Sequence, residues 1–361
     1  MSEVALKRTP LFEAHKAAGA RLVPFAGYEM PVQYTSILAE SKAVRQSAGM
    51  FDVSHMARLN IEGVDAEAFL ERVTTNDVAK IAYEQGQYSL LPNESGGCVD
   101  DIIVYRKGDG FQMVVNASNH EKDVDWLKSH AEGSISFDDI TEITAMIAVQ
   151  GPQATAILEL IASTDLSHVS AFGIVQLDMK TSHVQAARSG YTGEDGFEIV
   201  CPAVDAVNVW DLLLANGVMP CGLGSRDTLR VETGLPLYGH ELRDDLSPIA
   251  AGLGWVISKT KDYIGKPFID RARTDGVAER LVGIRLDSKR LATPGMAVLV
   301  GDEKVGEVSS GVISPTLDTG LALAFVRSGI PLETPCAVET RGKAEAGMIV
   351  SKRFYRRAKS T

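Results

Sequence analysis

Apolar and polar positions along this chain follow two rhythms. One repeats every three to four residues, as on the buried face of a helix, and the other alternates, as across a strand. The helical rhythm is first met in "TPLFEAHKAAGA", with Thr9 read as the N-cap, Pro10 in the first turn and Gly19 just beyond the last turn. It returns in "TSILAESKAVRQSAGM", which reads as a helix from a Thr35/Ser36 start to Gly49 as C-cap. Two more helices are predicted over Asp65–Val73 and from Asn119 through Ala131. The alternating rhythm predicts strands near Gln87–Leu91, Val99–Arg106 and Phe111–Val115. "ITAMIAVQGPQATAILELIA" reads as a buried strand, a Gly151-Pro152 turn and a helix. Strands near Gly173–Leu177, Val184–Arg188 and Gly196–Val200 then precede a helix, "AVDAVNVWDLLLANG", that ends at Gly217. Strands and helices mix without strict βα alternation, which predicts an α+β fold rather than a doubly wound sheet.

From about Arg280 only the short-strand rhythm remains. "LVGIRL", "MAVLV", "KVGEVSSGV", "GLALAFV" and "PCAVETRG" are split by Gly, Pro and Asp, the signature of a small barrel or sandwich. The polar stretch "VISKTKDYIGKPFIDRARTDG" is read as carrying the boundary before it. A chain of 361 residues exceeds one ordinary core, so two or three domains are expected.

Charge changes the picture by exclusion. Lys and Arg number 36 against 47 Asp and Glu, a net charge of −11, so a nucleic-acid partner is not expected. The four cysteines, Cys98, Cys201, Cys221 and Cys336, form no C-x-x-C pair and have no zinc-like spacing to a histidine. Neither a disulfide scaffold nor a metal is therefore expected. The N-terminal segment lacks the apolar core of a signal peptide and no apolar run reaches membrane-spanning length, so the expectation is a cytoplasmic chain without a membrane partner. "CGLGSR" is not G-x-G-x-x-G, and neither G-K-[ST] nor H-E-x-x-H occurs.

What is left for chemistry is a set of polar groups at apolar strands. "GGCVDDIIVYR" sets Asp100 and Asp101 at the mouth of a strand, where alternation puts Asp100 with Ile102 and Val104, and Asp101 with Ile103 and Tyr105. The two cannot grip one metal together while the strand stays regular. Asn116 ends "FQMVVN", and Glu198 in "GFEIV" shares a face with Val200 rather than with Phe197 and Ile199. Arg226 lies in "GSRDTLRVETG", and Tyr88, Tyr191 and Tyr238 lie beside glycines. Taken singly, Asp100 reads as a turn or cap group, Glu198 as solvent-facing, and Arg226 as the local ion-pair partner of Asp227. Their grouping is what carries information.

The phrases "AVRQSAGMFDVSHM", "GGCVDDIIVYR", "IAVQGP", "SGYTGEDGFEI", "PCGLGSRDTLRVETGLPLYGHEL" and "SPTL" occur in that order, and from about Thr9 onward the chain resembles the aminomethyltransferase (T protein) family of the glycine cleavage system. The resemblance implies a three-lobed cloverleaf around a central folate channel: two α/β lobes, about 1–140 and 141–272, and a C-terminal β-barrel at 280–361. It implies transfer of a methylene from the aminomethyl group on the lipoylated H protein to tetrahydrofolate, with ammonia released. It assigns Asp100 to catalysis near N10 of the folate, Glu198 to the pterin edge and Arg226 to ligand oxygens. Tyr88, Asn116, Tyr191, Tyr238 and Trp255 are expected to line the channel, and Arg356 to reach the folate or its glutamate tail. Tyr28 stands where relatives commonly have Trp. Asp52 and His55 of "FDVSHM" are expected to pack between lobes. A folate-dependent demethylase of a small methylated amine or sulfonium compound is the alternative. A folate-binding accessory factor is disfavoured, because "DYIGKPF" lacks that branch's K-G-C cysteine.

Overall fold

A computed structural model describes residues 5–180, 182–340 and 342–357. In chain order the elements are α1 (Phe12–Ala17), β1 (Arg21–Phe25), β2 (Tyr28–Gln33), α2 (Ile37–Gln46), β3 (Gly49–Asp52), β4 (Ala57–Glu62), α3 (Ala66–Val73), β5 (Gln85–Pro92), β6 (Cys98–Lys107) and β7 (Gly110–Val115). Next come α4 (His120–Ser129), β8 (Ser136–Asp139), β9 (Thr144–Gln150), α5 (Ala154–Ala162), β10 (Ile174–Asp178), β11 (His183–Ala187), β12 (Gly196–Pro202), α6 (Ala206–Ala215), β13 (Met219–Pro220) and α7 (Leu223–Thr233). The chain closes with α8 (Lys266–Asp275), β14 (Glu279–Leu286), β15 (Ala297–Val300), β16 (Glu303–Ser314), β17 (Thr319–Arg327), β18 (Pro335–Thr340) and β19 (Lys343–Val350). Two compact units result. The first is Met1–Ser89, Ile102–Gly190 and Glu194–Arg226, and the second is Leu90–Asp101, Tyr191–Gly193 and Asp227–Thr361.

The first unit holds two sheets, in strand orders β10-β11-β12-β9-β3-β13 and β5-β6-β7-β4-β8. Alternation sends Ile147 and Val149 of β9 and Phe197, Ile199 and Cys201 of β12 to one face of the six-stranded sheet. Helices α5 and α6 cover that face with Ala154, Leu158 and Ile161, and with Val209, Trp210 and Leu213, the spacing of a single helical stripe. The other face meets the second sheet through a buried polar chain. Lys107 Nζ donates to Gln185 Oε1 (2.7 Å), Gln185 Nε2 to Gln112 Oε1 (2.6 Å), and Gln112 Nε2 to Asn60 Oδ1 (3.2 Å). Glu198, opposite in sense to Phe197 and Ile199, belongs to this polar side.

In the second unit the last six strands close into a barrel, β14-β17-β16-β15-β18-β19. Strand β17 explains the continuous apolar run "GLALAFV". Ala322, Ala324 and Val326 fill the barrel core with Val282, Ile284 and Ile349, while Leu321, Leu323 and Phe325 pack outward on Val231, Ala250 and Leu281. A strand buried on both faces shows no alternation. The mixed α+β class with two sheet-based lobes and a terminal barrel is thus as expected. A sixth barrel strand, β19, was not anticipated, because its "KAEAGMIV" begins with exposed Lys343 and Ala344 and carries Gly347.

Several local expectations are corrected. Ser36 does cap α2, its Oγ accepting from Ala39 N (3.1 Å), but Gly49 does not close that helix. The cap is Ser47, and Gly49 opens β3, where a Cβ would press on Val44 and Cys221. Thr9 does not cap α1 either: the N-cap is Leu11, and the Thr9 hydroxyl is spent on Asp52 at 2.6 Å. The hairpin β1-β2 was missed because Pro24 and Pro31 argue against strands. Its two-residue Ala26-Gly27 turn has φ of 48° and 81°, both left-handed, matching the strand twist. Part of the stretch read as a boundary is helix α8. All four cysteines are buried, and among the described residues none is in a disulfide. Among the described residues no helix is long and apolar enough to cross a membrane.

Candidate functional site

The expected site residues divide between the units. Tyr88, Asn116, Glu198 and Arg226 lie in the first, and Asp100, Tyr191, Tyr238, Trp255 and Arg356 in the second.

Strand β6 starts at Cys98, so Asp100 sits two residues inside it rather than at its mouth. Asp100 is 0% exposed, and Ile102 and Val104 on its face are buried too, whereas Asp101 and Ile103 are half-buried. The strand end is held by backbone contact. Cys98 N donates to Arg243 O (3.0 Å), and a Cβ on Gly97 would strike the Asp244 carbonyl. Glycine is therefore required there by close approach. Tyr238 donates to Asp244 Oδ2 at 2.7 Å. Burial, then Asp244, push the Tyr238 phenol well above its ordinary pKa, and the nearby Asp100 charge adds to this. Tyr191 donates its hydroxyl to Pro236 O. Trp255, in the short turn Gly254–Val256, is 73% exposed, and Arg356 is exposed, so neither shows the burial expected of a lining residue.

In the first unit Glu198 is 7% exposed, not solvent-facing. Its Oε2 accepts from Ser189 Oγ, and Ser189 Oγ accepts from Tyr105 OH at 3.2 Å. Arg226 stands half-buried in the first turn of α7, and Asp227 pairs with Arg230 at 2.8 Å. A residue invisible to sequence reasoning fixes that helix start. Glu40, fully buried, accepts from Gly222 N (2.9 Å) and Ser225 Oγ (3.3 Å) with one oxygen, and from Tyr34 N (2.7 Å) and Thr35 N (2.9 Å) with the other. Tyr88, in the middle of β5, and Asn116, just past the end of β7, are half-buried.

Both Asp52 and His55 of the "FDVSHM" segment are buried. Asp52 is fully buried and accepts from Thr9, from His15 Nε2 (2.8 Å) and from Ser54 N (2.9 Å). Burial pushes its carboxyl up, but the bonds and charge of His15, with Ser54 and Thr9, outweigh this and hold it near 2. His55, 3% exposed, lies edge-on to Phe25 and near Tyr28, and its Nδ1 has no partner among the described residues. Burial lowers its pKa to about 4; Asp52 opposes the shift while Arg226 and Arg58 add to it. The neutral ring thus contributes stability that is complete above the ordinary pKa of 6.5 and is lost as pH falls through about 4. Urea midpoints measured at about pH 7 and pH 5 should drop more for the native chain than for His55→Gln. Equal drops would show that His55 titrates normally.

Among the described residues no group of three or more His, Cys, Asp or Glu is placed to hold a metal. Asp100 of the second unit and Glu198 of the first are deeply buried carboxylates, and Arg226 of the first is a half-buried guanidinium; groups of these kinds accept from amines and donate to oxygens.

Comparison with known proteins gives the particular family. The GCVT N-terminal domain matches residues 11–261, and the glycine cleavage T-protein C-terminal barrel domain matches 279–356. An aminomethyltransferase of Geobacillus sp. (strain WCH70) is 44% identical over 98% of this chain and 100% of its own, and one of Anoxybacillus flavithermus is 43% identical over the same shares. The crystal structure of the glycine cleavage system aminomethyltransferase T from Bartonella henselae superposes with a TM-score of 0.91 at 32% identity, covering 97% of this chain and 98% of that one. The chain belongs to the glycine cleavage T-protein family. Its activity is aminomethyl transfer, and it is an enzyme of the glycine cleavage system.

Proposed function

We propose that this chain moves the methylene of an aminomethyl group, carried on the lipoyl arm of an H protein, to tetrahydrofolate. The carbon–sulfur bond and the carbon–nitrogen bond to the original amine both break, two carbon–nitrogen bonds form to N5 and N10, and the protons those nitrogens lose end on the leaving groups, which depart as ammonia and the dihydrolipoyl thiol. Tetrahydrofolate supplies both acceptor amines. Asp100 orients the N10 amine, takes up its proton and offsets the transient positive charge at the carbon. Glu198 accepts from the paired N–H groups of the pterin edge. Arg226 complements ligand oxygens, and Tyr88, Asn116, Tyr191, Tyr238, Trp255 and Arg356 are assigned to ligand contact. Residues 1–140 and 141–272 are taken as the folate-binding lobes and 280–361 as the barrel domain. The chain works in the cytoplasm, with folate and H protein as its partners.

The complete burial of Asp100 carries this reading, because a carboxylate removed from water interacts more strongly with a passing cation. The deciding experiment supplies tetrahydrofolate and aminomethylated H protein and measures ammonia. Replacing H protein with sarcosine or dimethylglycine should abolish one-carbon transfer, and turnover with those amines alone would favour the demethylase reading. Glu198→Ala should weaken tetrahydrofolate binding by about 10- to 100-fold, measured by ligand fluorescence, since a charge-assisted bidentate bond is lost. An unchanged titration would remove Glu198 from the ligand.

A further inference from the structure

The carboxylate of Glu198 is gripped from one side only. Its Oε2 accepts from Ser189 Oγ, while Oε1 accepts no bond from any described residue. Ser189 has given its one proton to that carboxylate, so it can receive another, and Tyr105 OH supplies it at 3.2 Å. Tyr105 is 2% exposed, and burial, with the Glu198 charge adding to it, raises its phenol far above the ordinary value. The proton order is therefore fixed along the whole row, from tyrosine to serine to carboxylate.

The two donors of the row are themselves held in place. The Tyr105 ring lies so close over Gly86 of β5 that any Cβ there would collide with it. Gln150, 1% exposed at the end of β9, donates from Nε2 to Ser189 O at 2.9 Å, and its amide fills the space a Cβ on Gly190 would need. The Ser189 amide in turn donates to Ala187 O at 2.8 Å, and Ala187 is the register partner of Glu198. Residues of four strands, β5, β6, β9 and β11, thus converge on one carboxylate of β12, with glycine at two of the closest positions.

We propose that Ser189 and Tyr105 are positioning residues for Glu198: they fix its rotation, so that it presents a set fork of lone pairs to a ligand carrying two parallel N–H donors. This rests on the reading of Glu198 as the pterin-edge acceptor. A free carboxylate would rotate and would serve single-donor ligands equally well. A carboxylate with a fixed plane discriminates between a two-donor and a one-donor edge.

Titrations with tetrahydrofolate and with its 2-desamino analogue, which lacks one donor of that edge, test the idea on the intact chain. Ser189→Ala and Tyr105→Phe should each weaken tetrahydrofolate binding by about 3- to 10-fold, the net worth of one ordinary hydrogen bond. Both should narrow the preference for tetrahydrofolate over the analogue, and kcat at saturating folate should hold. Ser189→Thr, which keeps the hydroxyl, should restore the preference, a result that general loosening would not produce. If Glu198→Gln loses binding while both hydroxyl deletions leave the preference intact, the positioning role is wrong and the Glu198 reading survives. If Glu198→Gln itself binds normally, the underlying reading has failed instead.

Discussion

Asp100→Asn should fold, bind tetrahydrofolate within about threefold of the native chain, and lose about 10²- to 10⁴-fold in ammonia release. The asparagine keeps the shape of the side chain but removes both its charge and its ability to take a proton. Burial makes each loss large. Asp100 is wholly shielded from water on a strand whose neighbouring glycine is pressed on the Asp244 carbonyl, so no solvent molecule or mobile loop can substitute for it. The loss should appear in kcat and in kcat/KM alike, because the charge is needed only as the bond to carbon changes. Asp101→Asn serves as the internal control. It sits one residue on, half-buried on the opposite face, and should keep most of its turnover. Near-native turnover by Asp100→Asn would remove Asp100 from the reaction.

The largest effect on stability is expected at the far end of α7. Arg230 and Glu241 are 1% and 0% exposed and meet at 2.8 Å. Arg230 also bonds Ser310 Oγ (2.7 Å) and Asp227 (2.8 Å), while Glu241 receives Leu237 N (3.0 Å) and Ser309 Oγ. Glu241→Ala would strand a guanidinium in the interior, since Asp227 and Ser310 satisfy only part of it. Such a break costs about 3–5 kcal/mol. Replacing both members with apolar residues of similar volume should cost much less, because the desolvation of the pair is then also removed. Chemical denaturation of the single and double variants measures the difference. The exposed pair Arg327–Glu303 (2.5 Å) supplies the contrast, and Glu303→Ala should leave the denaturation midpoint where it is. If Glu241→Ala behaves like that surface change, the pair contributes nothing to the second unit.

How much was legible follows from how far each feature reaches along the chain. The helices α2, α3, α5 and α6 and the strands β6, β9 and β12 each carry their own rhythm, and the Ser36 cap is a contact within four residues. They were readable for that reason. The hairpin β1-β2 was not, because its two prolines mask a turn whose evidence lies in backbone angles. Gly49 looked like a helix cap when the reason for glycine is contact with Cys221, far along the chain. Glu40 shows the same limit. Within "ILAESKAVRQ" it looks like an ordinary helix-surface acid, and only the return of the chain at Gly222 and Ser225 reveals four donors aimed at it.

Local order along the chain determined the mixed α+β class, the strand face on which Asp100 lies, the opposition of Glu198 to its apolar neighbours and, through motifs in series, the resemblance to a family. Such features depend on neighbours a few bonds away, where backbone geometry leaves few choices. Tertiary structure alone decided which polar groups are dry, that Trp255 stays in solvent, that β19 closes the barrel, and that Tyr105 and Ser189 stand behind Glu198. These depend on segments tens to hundreds of residues apart meeting at ångström distances, and hydrogen bonding and desolvation act only once they have met.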